Sequence, residues 1–439
     1  MIDQAPIPPH RSRLTPHAFL GIDFGTTGAR AMVIDDAGEI LAQCRHDFHG
    51  EQSGQLWRTA LFELISQIPF ELRNVLRAIS INGTSATVLL CDAAGEPLSA
   101  PLLYNDTCAS REAEALMQMA PRNHVAATPA SGLAKLIWFS RQPEFGAAAS
   151  FMHQADWLGF LLHGQLGISD YHNALKSGGD PETLDYPAWV KALPVSALLP
   201  QIVEPGAVIG TISSRIAHHF ALPRDCVVRA GTTDSIAAFL ATGAGKPGEA
   251  VTSLGSTLVL KLLSERRVES AQHGIYSHRC GNLWLTGGAS NSGGAVLRAF
   301  FDDAGLHSLS QRIDPGQPSG LDYYPLLQPG ELFPLNDLAY PPRLVPRPDD
   351  DAIFLHGLLE GIARIEARGY QLLQELGATP LVSVRSAGGG ASNPAFSAIR
   401  ARLLGVPMQA ALHAEAAYGS ALLARDGTQL LYSGHDKSI

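Results

Sequence analysis

Two carboxylates of this chain lie beside glycines and hydroxyl side chains, in a pattern that suits chemistry on a phosphate. Asp23 lies in the run GIDFGTTG, and Asp234 lies much later, in the run AGTTDS. Glycines let backbone amides turn toward an anion without a Cβ in the way, and hydroxyls add further donors. A carboxylate at the end of a strand can hold a hydrated cation beside that anion. The residue types therefore predict a phosphate site with Asp23 as its cation ligand.

Tight turns are the alternative explanation, because glycine and threonine serve many ordinary turns and short glycine motifs are often coincidental. The same pattern recurs, however, in SLGST at residues 253–257 and in three glycines at residues 388–390, each after an apolar run. Four such turns are hard to explain by packing alone. Asp234 has its own alternative role, as the N-cap of an apolar helix at residues 236–240.

Composition restricts the class of protein. A chain of 439 residues with 46% hydrophobic and 17% charged residues is typical of a soluble globular protein with two domains. Its net charge of −9 argues against a general nucleic-acid or anionic-membrane binder. The five scattered cysteines fit reduced thiols in a cytoplasm, and we find no apolar run of about 18 residues that would span a membrane. Residues 1–17, rich in Pro and Arg, are predicted to be a disordered extension.

The elements that must position these residues follow an α/β order. Residues 19–36 predict a β-hairpin, residues 40–46 a third strand, and residues 78–81 a strand that ends in the polar run NGTSAT. After a Gly-rich stretch at residues 243–248 the pattern restarts with strands at residues 250–254 and 258–263. We interpret the chain as a duplicated α/β unit with a ligand cleft between the copies, comprising residues 18–245 and 246–439.

Several other segments carry local expectations. Residues 56–66 and 355–376 predict amphipathic helices, the second ended by Gly377, and residues 393–404 predict a helix that begins near the three glycines. Residues 381–384 predict the strand before those glycines. Residues 169–177, SDYHNALKS, are expected to be polar and irregular.

Taken together, the chain resembles the FGGY carbohydrate kinases. The resemblance covers residues 18–423 and depends on four segments in order, GIDFGTTGARAMVID, AGTTDSIAAF, TSLGSTLVLKL and SAGGGASNPAFSAIRARLLGVPM. The compact length and the runs HQADWLGFLLHG and SDYHNALKSGGD are most similar to the short xylulokinase and D-ribulokinase members. The resemblance implies two ribonuclease H-like domains of the actin-like ATPase class, with ATP and sugar in the cleft between them and closure on binding.

Residue by residue, the resemblance implies the following roles. Asp234 matches the general base that takes the proton of the sugar hydroxyl, and Asp23 matches the position that holds Mg²⁺ through water. The positions matching the nucleotide site are the first phosphate loop (Gly25, Thr26, Thr27), the second phosphate loop (Gly255, Ser256, Thr257), the residues before the base (Gly231, Thr232) and the adenosine site (Gly388, Gly389, Gly390, Asn393). The sugar site is expected at Thr84, Ser85, Asn105 and Asp106, together with Asp234.

The sugar region departs from the family pattern. The family often has Met-His-Gly where this chain has the run NGTS at residues 82–85, and Cys108 stands where an arginine commonly follows the sugar-binding Asp. Asp156 and Trp157 lie in a region that could line the pocket, although a core role for Trp157 is equally consistent with the sequence. Lys176 is compatible with a solvated surface charge and receives no role.

The expected function is ATP- and Mg²⁺-dependent phosphorylation of the terminal hydroxyl of a small sugar, a ketopentose such as xylulose or ribulose, in the cytoplasm. A polyol kinase acting on glycerol or a tetritol is the alternative enzyme, because such acceptors differ by few hydrogen bonds. A non-catalytic sugar or nucleotide sensor on the same fold is the alternative from another class, and a filament-forming protein is a third. Nucleic-acid and membrane partners are not expected, and a homodimer is left open.

Overall fold

Two six-stranded mixed sheets form the framework of the protein. The computed structural model describes residues 17–122 and 124–432. The predicted N-terminal extension therefore lies outside the described residues, apart from His17. The strands are β1 (Ala18–Phe24), β2 (Gly28–Asp35), β3 (Ile40–Asp47), β4 (Leu76–Gly83), β5 (Val88–Cys91), β6 (Ser150–His153), β7 (Ile168–Asp170), β8 (Gln201–Val203), β9 (Val208–Thr211), β10 (Val227–Thr233), β11 (Glu249–Leu254), β12 (Leu258–Ser264), β13 (Tyr276–Cys280), β14 (Leu283–Ser290), β15 (Ser383–Ala387) and β16 (Met408–Gln409).

Helices cover the faces of these sheets. The α-helices are α1 (Gly54–Gln67), α2 (Phe70–Arg73), α3 (Ser110–Met117), α4 (Gly132–Phe139), α5 (Gln154–His163), α6 (Tyr171–Leu175), α7 (Ala188–Lys191), α8 (Ser214–Phe220), α9 (Asp234–Ala241), α10 (Gly294–Arg298), α11 (Asp303–Ser310), α12 (Asp351–Glu375), α13 (Pro394–Leu404) and α14 (Ala416–Asp426). Short 3₁₀ helices cover Pro143–Ala147, Ser196–Leu198, Ala271–His273, Gly389–Ser392 and Gly427–Leu431. No helix in the described ranges has the length and apolar character needed to cross a bilayer.

The two sheets share a five-stranded topology and differ in the place of the sixth strand, since β9 pairs with β10 in the first sheet and β13 pairs with β14 in the second. The first has the order β3-β2-β1-β4-β10-β9, with β1, β2 and β3 as an antiparallel meander and with β4 and β10 parallel to β1. The second has the order β13-β14-β12-β11-β15-β16, with β11, β12 and β14 as the meander and with β15 and β16 parallel to β11. The structure therefore confirms the duplication predicted from the sequence.

Helix α14 ties the end of the chain to the first half. It packs on β1 and on α9, so closely that a Cβ on Gly21 would lie 2.1 Å from the carbonyl oxygen of Ala417. A Cβ on Gly419 would likewise lie 1.9 Å from the carbonyl oxygen of Ala237. Backbone contacts this close need glycine on one side. Helices α9 and α14 therefore lie together between the two sheets, where residues from both halves form one apolar cluster.

The predicted elements are largely confirmed, with three differences. Residues 169–177 are not irregular, because they form the end of β7 and helix α6, whose N-cap Asp170 accepts hydrogen bonds from the amides of His172 and Asn173. The run Gly231–Thr233 is not a turn but the end of β10. Strand β15 begins two residues later than the predicted strand and continues to Ala387, directly before the three glycines.

Candidate active site

Asp23 is the second-last residue of the buried strand β1, opposite Arg30 on β2 and Asn82 on β4. Its side chain is almost completely buried, and its Oδ1 atom has no hydrogen-bond partner among the described residues. Oδ2 lies 3.8 Å from the guanidinium Nη1 of Arg30. Burial, followed by the charge of Asp234, raises the pKa of Asp23 to about 7. A buried carboxylate with an unsatisfied oxygen is unfavourable by itself, so this donor set fits a hydrated Mg²⁺.

The first hairpin loop joins β1 to β2 next to Asp23. The amide of Gly25 donates to the carbonyl of Gly28 at 3.0 Å, which closes the turn. The carbonyl of Thr26 accepts from the Gln52 side chain, and that of Thr27 accepts from the Phe48 amide. Because these carbonyls bond to their own half of the protein while both threonines are exposed, the loop can present its hydroxyls to an anion.

Asp234 is the first residue of α9, directly after β10. The alternative N-cap role is wrong, because Thr233 occupies the N-cap position and the Asp234 carboxylate accepts from the neighbouring Ser235 amide at 2.7 Å. Burial raises the pKa of Asp234, whereas the Ser235 amide and the lysines at positions 261 and 176 oppose this shift. In the first sheet, β4 lies between β1, which contains Asp23, and β10, which ends directly before Asp234, so one short edge presents both carboxylates.

The two residues before Thr233 belong to the strand and are held by it. Gly231 lies so close to β4 that a Cβ would be 1.7 Å from the carbonyl oxygen of Ile81. The buried hydroxyl of Thr232 lies 2.7 Å from Nδ1 of His172, whose Nε2 donates to the carbonyl of Arg279 at 2.7 Å. Burial also lowers the pKa of His172 to about 3, so the ring is neutral. Its Nδ1 therefore accepts a hydrogen bond from the Thr232 hydroxyl. A phosphate contact from that hydroxyl would have to replace this bond.

The second hairpin loop, between β11 and β12, is the counterpart of the first. Ser256 and Thr257 are exposed, as in the first loop. The carbonyl of Gly255 accepts from the Gly294 amide at 2.9 Å, which anchors the loop to the start of α10. Arg298 of that helix donates to the Ser256 hydroxyl at 2.8 Å. This guanidinium is a phosphate-binding candidate that the sequence pattern did not reveal.

A cavity of about 690 Å³ opens beside this loop in the second half. Gly389 and Gly390, two of the three glycines predicted for adenosine, line one wall, and a Cβ on Gly388 or Gly390 would lie 2.9 Å from Leu254. Asn393 caps α13 by accepting from the Phe396 amide, and it donates to the Ser310 hydroxyl at 2.8 Å. Its side chain therefore shapes the cavity wall. Further lining residues, which the sequence analysis did not identify, are Leu297, Arg298, Leu306, His307, Ser310 and Gln311.

The predicted sugar residues differ in how available they are. Thr84 is buried, and its hydroxyl bonds to Gln154 Oε1 at 3.1 Å and to the Thr87 hydroxyl at 2.6 Å. Ser85 is partly exposed, and Asn105 is exposed. The hydroxyl of Thr84 thus organises the loop, whereas the two other side chains face accessible space.

Lys135 is a buried residue that the sequence analysis did not single out. Its Nζ donates to the carbonyls of Ala86 and Leu103, and burial lowers its pKa to about 8. The same loop contains Asp106, whose carboxylate accepts from the Leu103 amide at 2.6 Å. Lys135 therefore holds together the two loops that carry the predicted sugar contacts. Cys108 is exposed nearby.

Trp157 belongs to the core. It is buried, donates to the Gly95 carbonyl at 2.9 Å and packs beside Trp57. Asp156 is bonded to Nδ1 of His153 at 2.7 Å in the capping box of α5. These contacts give both residues structural roles.

Lys176 and Lys261 lie near Asp234 and were not identified as site residues. Lys176 is not a fully solvated surface charge, since it is partly buried, and burial lowers its pKa. Lys261 lies within β12, and its Nζ donates to the Ser235 carbonyl. A lone lysine in the apolar run LVLKLL was the signal in the sequence for Lys261.

Family models match almost the whole described chain. The N-terminal domain of the FGGY family of carbohydrate kinases matches residues 18–241, and its C-terminal domain matches residues 250–425. The chain belongs to the FGGY family of carbohydrate kinases. Membership implies ATP as the phosphoryl donor and a small-molecule sugar as the acceptor.

Individual relatives support the same classification. The kinase is 30% identical to the xylulose kinase of Streptomyces coelicolor over 56% of this chain and 54% of that relative. It is 26% identical to the glycerol kinase of Alkalilimnicola ehrlichii over 93% of this chain and 90% of that relative. A crystal structure of a xylulose kinase from Brucella ovis has a TM-score of 0.84 at 26% identity, covering 96% of this chain and 92% of that one. The expected two-domain, actin-like ATPase fold is confirmed.

Proposed function

We propose that this kinase transfers the γ-phosphoryl group of ATP to the terminal hydroxyl of a ketopentose, xylulose or ribulose, with Asp234 as the general base. The observation that carries the proposal is the pair of carboxylates at one edge of the first sheet, buried Asp23 and partly exposed Asp234, where burial and then the charge of Asp234 raise the pKa of Asp23. Perturbed carboxylates placed beside glycine-hydroxyl loops are typical of a phosphoryl-transfer site. The ketopentose is inferred from the xylulose kinase relatives.

The residues divide the work of one displacement. Asp234 accepts the proton of the sugar hydroxyl while that oxygen forms a bond to the γ-phosphorus, and the bond from this phosphorus to the bridging oxygen of ADP breaks. The exposed hydroxyls of the two hairpin loops, with Arg298, stabilise charge on the phosphates. When bound at Asp23, Mg²⁺ would neutralise part of that charge. The cavity beside Gly388–Gly390 would hold the adenosine.

The sugar is proposed to bind at the two loops that Lys135 joins. Ser85, Asn105 and Asp106 are the proposed contacts to its hydroxyls, because they lie on these loops and are at least partly exposed. Gly231 and Thr232 are still proposed to contact the nucleotide, but through their backbone amides and not through the Thr232 hydroxyl, which is bonded to His172. The proposal also includes action in the cytoplasm without a nucleic-acid or membrane partner.

A polyol kinase is the second candidate function, and the glycerol kinase relative is the observation that favours it. Glycerol and erythritol offer the same primary alcohol with fewer hydrogen-bonding groups. Discrimination among such acceptors depends on a few hydrogen bonds, so an acceptor panel separates the two functions.

Coupled ADP release with Mg²⁺-ATP over D-ribulose, D- and L-xylulose, L-ribulose, glycerol and erythritol tests the proposal. We expect saturable turnover on one ketopentose, lost by a factor of about 10² or more in Asp234→Asn because the proton acceptor is removed. ATP affinity, measured by calorimetry, should change little. Asp225→Asn is the matched control, since Asp225 is an exposed residue paired with Arg77.

Each outcome decides between the candidates. Turnover on glycerol or erythritol alone would favour the polyol kinase. ATP binding without turnover on any acceptor would favour the sensor. Near-normal turnover in Asp234→Asn would show that another group is the base.

A further inference from the structure

Lys261 extends from the second sheet toward the helix that carries Asp234. Its Cα pairs with Val251 on β11 and with Gly287 on β14. The flanking residues Leu260 and Leu262 pack in the core of the second half. Because side chains alternate along a strand, Lys261 points to the opposite face, where Leu263 joins the cluster around α9 and α14. A charged residue therefore lies on the apolar side that faces the first half.

The ammonium group has a defined partner there. Lys261 Nζ donates to the carbonyl of Ser235, in the first turn of α9 and directly after Asp234. This hydrogen bond joins the second sheet to the first turn of the helix at the residue beside the proposed base. Ser235 itself is exposed, whereas Ile236 and Ala237 in the same turn are buried on the side of α14, so Lys261 holds the end of the turn that those apolar contacts do not reach.

Charges around Asp234 come from several elements. Lys261 on β12 and Lys176 at the end of α6 favour its ionised form, whereas Asp23 on β1 is a like charge. His278 on β13 is kept neutral by its burial and by both lysines, because its pKa lies well below the ordinary value. Lys261 is thus one of two lysines that favour the ionised form of Asp234.

Packing alone does not account for a lysine at this position. Val251, Leu263 and Leu285 surround this face with apolar side chains, and a leucine or methionine would suit such a surface. Burial lowers the pKa of Lys261 to about 8, so the charged form is held at a cost that the charge of Asp234 partly offsets. Lys261 is partly exposed, and a cation retained on an apolar face beside a carboxylate is an indication of function.

We propose that Lys261 is a positioning residue for the reaction, which holds the first turn of α9 through the Ser235 carbonyl and so keeps the Asp234 carboxylate in place for the sugar hydroxyl. The inference rests on the function proposed above for Asp234. The hydrogen bond from Lys261 to Ser235 joins the two halves. If the second sheet moved away from α9, this hydrogen bond would break and Asp234 would lose this support. Lys261 thereby makes the position of the Asp234 carboxylate depend on how the two halves are arranged.

The test compares Lys261→Met, Lys261→Gln and Lys261→Arg in the full chain. Methionine keeps the length and loses the donor and charge, glutamine keeps a donor without charge, and arginine keeps both. The proposal predicts a fall in kcat of about tenfold or more for the methionine variant, a fraction of the effect of losing a general base. The KM for ATP and the calorimetric ATP affinity should stay within about twofold of wild type. Arginine should restore kcat to within about threefold.

Lys246→Met is the matched control, because Lys246 is an exposed lysine in the stretch between α9 and β11. If the methionine variant does not fold, the glutamine variant decides, since its neutral amide donor lies one bond closer to the backbone than Nζ, no longer matches the Ser235 carbonyl and should show a fall in kcat at unchanged ATP affinity. Unchanged kcat in the folded neutral variants would overturn the proposal, as would an equal loss of ATP affinity. If Asp234→Asn keeps its turnover, the base assignment fails instead; if it loses turnover while Lys261→Met does not, only the positioning role fails.

Discussion

Replacing Asp23 by asparagine is expected to stabilise the metal-free kinase at neutral and alkaline pH while removing its activity. In the folded protein the pKa of this carboxyl rises from its ordinary value of 3.8 to about 7, because the group is buried and lies near Asp234 and Glu415, with only partial compensation from Arg30. The folded state therefore binds more protons than the unfolded state between these two values. The contribution of this carboxyl group to the free energy of unfolding is therefore fully present below about pH 4 and is lost as the pH rises through about 7.

The size of the effect follows from the shift. A shift of about three pKa units, at roughly 1.36 kcal/mol per unit, corresponds to a loss on the order of 4 kcal/mol at pH 8. Asparagine does not titrate and is neutral like the protonated acid. The difference in the free energy of unfolding between Asp23→Asn and wild type should therefore grow with pH, by up to about 1.4 kcal/mol per unit between pH 5 and 7.

Urea unfolding from pH 5 to 8.5, with EDTA and without nucleotide, measures this difference. Asp225→Asn is the control, because its exposed carboxylate should give little change at any pH. A variant no more stable than wild type at pH 8, or a difference independent of pH, would refute the reasoning. The same variant should lose turnover with Mg²⁺-ATP, since the carboxylate that destabilises the fold is the one proposed to hold the metal.

Two further substitutions test the framework of the second half and the helix between the sheets. Arg400 donates to both carboxylate oxygens of buried Glu366, at 2.6 and 2.7 Å. Arg400→Met leaves this carboxylate uncompensated and should lower the free energy of unfolding, measured in urea, by about 3–5 kcal/mol. Gly419→Ala places a Cβ 1.9 Å from the carbonyl oxygen of Ala237, so α14 must move away from α9. This substitution should lower the free energy of unfolding by roughly 1–3 kcal/mol or more, and it should also lower the soluble yield.

Matched controls exist for both substitutions. Arg368→Met breaks an exposed pair with Glu375 and should cost about 1 kcal/mol or less. Gly146→Ala adds a Cβ with no atom within 4 Å and should be nearly neutral. If each test variant behaved like its control, the assignments of buried charge and close helix contact would be wrong.

The sequence was sufficient for elements whose cause is local. Short apolar runs on both sides of Gly25–Thr27 specify a hairpin, and the same pattern around Gly255–Thr257 specifies its counterpart. Asp350 and Asn393 cap α12 and α13 by side-chain hydrogen bonds to nearby amides, which lie within a few residues in sequence. The duplication and the two carboxylates could therefore be read from the chain.

Tertiary pairing decided the rest. Gly231–Thr233 has turn composition but continues β10, because Thr232 and Thr233 pair with Asn82 and Gly83 of β4, residues far away in sequence. The polar segment before Lys176 becomes a helix since the protein supplies partners for its side chains, such as the carbonyl of Arg279 for His172. Side-chain contacts between distant strands leave no local pattern in the sequence.

The sequence by itself thus determined the family, the duplicated α/β order and the two carboxylates, since these depend on local patterns of apolar residues, glycines and acids. Only the tertiary structure showed that the Thr84 hydroxyl is already hydrogen-bonded, that Lys135 joins the loops of Ala86 and Leu103 and that Lys261 reaches Ser235. The physical reason is the same in each case. Whether a polar group is available or satisfied depends on partners brought together by folding, and no spacing along the chain encodes those distances.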